Sequence, residues 1–75
     1  MKLPIISGTK TTKALKKIGF EIDHQTGSHF ILRENKEPFR RVTVPNHKII
    51  VPGTLLSILK KAGIEKQDFL KLLKK

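Results

Sequence analysis

The chain has 75 residues, enough for one domain with a thin core. Its 16 Lys and Arg against 6 Asp and Glu give a formal charge of +10, which predicts a polyanionic partner: nucleic acid first, then an anionic membrane or an acidic protein. With no Cys, disulfide scaffolds, Cys-based zinc sites and thiol nucleophiles are excluded, and so few acids leave little for multi-metal chemistry.

The apolar patch Leu3, Ile5 and Ile6 is interrupted by Pro4 and is too short for a signal-peptide core. No apolar run approaches a membrane span. A cytoplasmic protein is the expectation. After Ser7 and Gly8 the spacing predicts a helix from Thr9 to Ile18, with Ser7 or Thr9 as its cap and Gly19 at its end. Leu15 and Ile18 face inward, and Lys10, Lys13, Lys16 and Lys17 face water.

The period then changes to two. Phe20 to Gln25 reads as a strand, with Phe20, Ile22 and His24 on one face. Gln25-Thr26-Gly27-Ser28 is a turn cluster in which Gly27 can take positive φ. A second strand runs from His29 to Arg33, Glu34 to Pro38 reads as a turn, and a third strand runs from Arg40 to Val44 before Pro45. Pro52-Gly53-Thr54 opens a helix whose apolar stripe is Leu55, Leu56, Ile58, Leu59 and Ala62, and Gly63 closes it. A last short helix covers Lys66 to Leu73.

The order α-β-β-β-α-α predicts an α+β fold: a three-stranded antiparallel meander with helices on one face and a short extra C-terminal helix. Phe20, Ile22, Phe30, Leu32, Val42 and Val44 should meet the helices, with His24 at the core edge. Glu21, His29, Ile31, Arg33, Arg41 and Thr43 should face away. One domain should span residues 1–75.

On that outer face His29 is the candidate catalytic residue. A neutral imidazole accepts a proton, and guanidinium groups on the same face, Arg33 and Arg41, bind phosphate and stabilise charge that builds on it. Those parts suffice to cleave RNA through its own 2′-hydroxyl, a nucleophile that DNA lacks. Three His without Cys, none in helical zinc spacing, predict no metal and no cofactor. With four Phe and neither Trp nor Tyr, three of the Phe in core positions, a broad aromatic platform for bases is not expected.

Four blocks in order carry a family likeness. They are Leu3-Pro4 with Ser7-Gly8; Leu15 with Gly19-Phe20; Gln25-Thr26-Gly27-Ser28-His29; and Val44-Pro45-Asn46-His47 with Gly53-Thr54-Leu55 and Ile58 to Ile64. The chain resembles the HicA-type (YcfA-like) toxins of type II toxin–antitoxin systems. The resemblance implies a fold like the double-stranded-RNA-binding domain and a metal-independent endoribonuclease that cleaves mRNA. It also implies a HicB-type antitoxin as partner. It places the functional histidine at His29 and a second histidine at His47. His24 stands where the family often has Arg. The candidate RNA contacts are therefore Gly27, Ser28, Arg33, Arg41, His47 and His24. A free monomer without membrane association is expected. The rival functions are a non-catalytic RNA-binding module of the same fold and a degenerate toxin that only binds its antitoxin.

Overall fold

A computed structural model describes residues 4–74. Leu3, one of the residues that carry the likeness, lies outside the described residues. The elements are α1 (Gly8–Lys16), β1 (Phe20–Gln25), β2 (His29–Glu34), β3 (Arg41–Pro45), α2 (Pro52–Ala62) and α3 (Lys66–Leu73). The strands form one antiparallel sheet in the order β1-β2-β3, as expected for an α+β meander.

Ser7 rather than Thr9 caps α1. Its Oγ accepts from the Lys10 N–H at 3.1 Å, which starts the helix one residue earlier than the spacing predicts. The helix also ends earlier, at Lys16. The N–H groups of Lys17, Ile18 and Gly19 turn back to the carbonyls of Ala14, Leu15 and Lys16, tightening the last turn. Gly19 follows at φ +104°, as a helix-ending glycine should. The third strand is likewise displaced by one residue, to Arg41–Pro45. Pro45 completes it because an edge strand tolerates a residue with no N–H.

The inner sheet face carries Phe20, Phe30, Leu32, Val42 and Val44, all buried. They pack with Leu15, Leu55, Leu59 and Phe69 into one cluster. Phe69 is fully buried, so α3 contributes to the core. Losing such a ring typically costs about 3–5 kcal/mol, a large share of what a domain this small can have. Lys17 Nζ also donates to the Leu72 carbonyl at 2.9 Å, tying α1 to the last turn of α3.

Two strand positions depart from simple alternation. Ile22 has the inward parity but is 38% exposed, on one of the sheet's two edge strands. The larger change is a β-bulge. Ile22 pairs with Leu32, yet His24 pairs with Ile31, so β1 holds one extra residue. Residues directly opposite in a ladder share a face. His24 therefore lies on the outer face with Ile31 and not at the core edge.

Glu34 is not a turn residue. It ends β2 on the inner parity and is buried. Its carboxylate accepts from the Arg40 N–H at 3.0 Å and meets the Arg40 guanidinium at 3.6 Å. That guanidinium lies over Gly63, where any Cβ would sit within 2.9 Å of it. Gly63 also has φ +74°, closing α2 as the sequence predicts.

Candidate functional site

The outer sheet face has two polar ends, joined by β2. At one end is His29, the first residue of β2, half-buried and paired with Pro45. Its main chain is clamped by the preceding turn. The Thr26 N–H donates to the His29 carbonyl at 2.9 Å, and the His29 N–H donates to Thr26 Oγ1 at 3.0 Å. The imidazole Nδ1 lies 2.8 Å from Ser28 Oγ. A partner on Nδ1 fixes the ring orientation and leaves Nε2 for solvent or a ligand, and because a hydroxyl both donates and accepts, the contact serves either tautomer.

The turn does not use glycine as the sequence predicts. The positive-φ glycines among the described residues are Gly19 and Gly63, and not Gly27. A Cβ added at Gly27 would meet nothing within 4 Å, so neither backbone conformation nor packing requires glycine at that position.

His47 comes to the same end through its loop. The Asn46 N–H donates to the Ser28 carbonyl at 2.8 Å, extending the pairing one step past the strands. The His47 carbonyl then accepts from the Gly8 N–H at 2.9 Å. This docking requires Gly8 to be glycine, since a Cβ would run into the Pro45 carbonyl oxygen. The Ser7-Gly8 block and the Pro45-Asn46-His47 block are thus the two sides of one contact.

The bulge adds His24. It faces Ile31, and His29 is two residues from Ile31 on the same face, so the two histidines are diagonal neighbours with Cα atoms about 7–8 Å apart. His24 is exposed, with its Nδ1 3.2 Å from Asp23 Oδ2. This end therefore brings His24 and His29 together on one face beside Ser28, with the main chain of the His47 loop anchored next to them.

Arg33 and Arg41 occupy the other end. They are directly paired across β2 and β3, and Glu21 pairs with Arg33 from β1, so the outer row reads Glu21, Arg33, Arg41. Both arginines share the face of His29, but Arg33 lies four residues along the strand, about 13 Å away at roughly 3.3 Å per residue. They do not surround the imidazole. Two like charges placed opposite each other weaken a sheet unless an anion comes between them. Among the described residues no cluster of three or more His, Asp or Glu could hold a metal ion.

Two functional candidates were not legible in the strand pattern. Glu34 holds the loop that follows β2, and Phe39, which closes the turn of that loop, is 53% exposed. The only sequence signal at Phe39 is a lone aromatic residue in a polar turn, directly before Arg40 and Arg41.

A family model described as the HicA toxin of bacterial toxin–antitoxin matches residues 8–64. The chain belongs to the HicA toxin family. A search of curated proteins gives no match. The matched span runs from the first residue of α1 to Ile64, just past the end of α2, and so contains Ser28, His29, His47 and both arginines. Helix α3, which supplies Phe69 to the core, lies beyond it. As a HicA-family chain the protein has an antitoxin as its implied partner. No helix among the described residues is long and apolar enough to cross a membrane.

Proposed function

We propose that this HicA-family toxin is a metal-independent endoribonuclease that cleaves mRNA and so inhibits translation, with His29 as its catalytic base. The observation that carries this is the Ser28–His29 contact of 2.8 Å on the open sheet face. With Ser28 Oγ accepting from Nδ1–H, the Nε2 lone pair is free to take the 2′-hydroxyl proton of a bound ribose. The 2′-oxygen attacks the adjacent phosphorus, a new P–O2′ bond forms, the P–O5′ bond breaks, and the products are a 2′,3′-cyclic phosphate and a 5′-hydroxyl. His24, diagonal to His29, stands beside that phosphate. As an imidazolium it offsets the developing charge and returns a proton to the departing 5′-oxygen. Gly27 leaves room for the backbone, His47 contacts the strand from the anchored loop, and Arg33 and Arg41 hold a phosphate further along. The antitoxin of HicB type neutralises the toxin by covering this face. A surface of net positive charge suits an acidic antitoxin as well as RNA.

Induced expression tests this in cells. The wild-type chain should arrest growth, and co-expression of the antitoxin should relieve the arrest. His29→Ala should express as a folded protein without arresting growth, since a side chain on the open face contributes little packing. Arrest by His29→Ala equal to wild type would remove His29 from the mechanism. Product ends provide a separate check: a 3′-hydroxyl would mean attack by water rather than by the ribose.

A further inference from the structure

Phe39 has no place in the proposed cleavage, yet the fold presents it. Three of the four phenylalanines, Phe20, Phe30 and Phe69, are buried, while Phe39 is 53% exposed. Its φ is +57°, a backbone conformation that an aromatic residue rarely holds. The surrounding bonds keep it there. Its N–H donates to the Lys36 carbonyl at 2.8 Å, and the next residue, Arg40, is fastened to Glu34 by main-chain and side-chain bonds. The ring is thus displayed on a loop that is pinned on both sides.

Phe39 lines a groove of about 360 Å³ with Ile22, Arg33, Glu21, Asp23 and Glu34. Glu34 is committed to Arg40 and Asp23 to His24, so Glu21 is the carboxylate left to meet a ligand. Charge sorts what this groove can take. Carboxylates repel phosphate, but they accept from the N–H groups on the edge of a nucleobase. The Arg33–Arg41 pair adjoins the groove through Arg33 and takes phosphate. A ring face for stacking, acceptors for base N–H groups and a cationic pair alongside are the three parts of a nucleotide subsite.

We infer that this groove holds one unstacked base of the RNA strand, stacked on Phe39 with its N–H edge toward Glu21 and its phosphate on Arg33 and Arg41. The subsite rests on the outer face being an RNA surface, as proposed above. Arg33 is about 13 Å from His29 along β2. That is about four stacked nucleotides at 3.4 Å rise, and fewer for a stretched strand. The bound base therefore lies away from the cleaved bond and sets the position of the strand rather than the chemistry.

The chain has neither Trp nor Tyr, so Phe39→Trp creates a single fluorophore at the site. The probe is a 2′-O-methyl oligonucleotide, which lacks the free 2′-hydroxyl and cannot be cleaved by the proposed route. Its titration should quench the introduced tryptophan to saturation. The same probe should leave unquenched a tryptophan introduced by Leu56→Trp, on α2 behind the sheet. Phe39→Gly removes the ring while keeping positive φ without steric cost, so folding is not at stake. It should raise the Kd for the oligonucleotide by about 5- to 100-fold. No quench at position 39, with Phe39→Gly binding within about 2-fold of wild type, would overturn the subsite and leave Phe39 to a protein partner. Repeating the titration on His29→Ala separates the two proposals. Quenching without any cleavage by the wild-type chain sinks the nuclease alone, and His29-dependent cleavage without quenching sinks the subsite alone.

Discussion

The two ends of the outer sheet face hold their polar groups by different means. Around His29 short main-chain bonds do the holding: Thr26 to His29, Asn46 to Ser28 and Gly8 to His47. Around Arg33 and Arg41 the groups are long, exposed and alike in charge, and a single buried carboxylate, Glu34, anchors the neighbouring loop. Proton transfer needs atoms held within tenths of an ångström, which a clamped turn provides. Phosphate attraction falls off slowly with distance and tolerates mobile side chains. Under the proposed function, the difference suits chemistry at the histidine end and grip at the arginine end.

That division can be broken by experiment. Short of removing His29 itself, the largest effect should come from Ser28→Ala, which removes the partner of His29 Nδ1. We expect a fall of about 10²-fold in kcat with RNA affinity unchanged, and substantial rescue by Ser28→Thr. A loss confined to affinity would place Ser28 with the grip. Next is Glu34→Ala. It unpins Arg40 and leaves a partly buried N–H without its acceptor, so stability should drop by about 1–2 kcal/mol. Thermal unfolding reads this at about 4–8 °C per kcal/mol. RNA should bind more weakly, with the cleavage rate of saturated enzyme maintained.

Arg33→Ala combined with Arg41→Ala should act more gently. Binding should weaken on all sequences, and the slope of log K against log salt should become shallower by about 1.4, from roughly 0.7 per phosphate contact. Cleavage at saturating RNA should persist, and its loss would mean that the arginines reach the reacting phosphate after all. The smallest change should come from Thr12→Val in α1. Thr12 is buried, and its Oγ1 has no hydrogen-bond partner. Removing that hydroxyl should raise stability by about 1 kcal/mol and leave both ends unaltered.

Much of this architecture is legible in the sequence because its causes are local. Gly63 stops α2 through its own backbone freedom, Ser7 caps α1 through its own side chain, and the period-two runs place β1, β2 and β3 to within a residue. His29 is legible for the same reason, by parity against Phe30 and Leu32. What stayed hidden depends on partners distant in sequence. Phe20 to Gln25 alternates without a break, and only its pairing with β2 inserts the bulge that turns His24 outward. Glu34 is a turn residue by composition, and its burial requires Arg40 and the space over Gly63. Parity also puts Arg33 and Arg41 on the face of His29 without showing that nearly the whole length of β2 separates them.

The most direct test of the His29 assignment is a single-turnover cleavage assay. Purified wild type and His29→Ala are mixed in excess with 5′-labelled RNA, and binding to a non-cleavable analogue is measured in parallel. The predicted result is cleavage slowed by about 10²- to 10⁴-fold in the variant, with affinity kept within about 2-fold. Wild-type products should end in a 2′,3′-cyclic phosphate. A variant that cleaves at the wild-type rate would contradict the account.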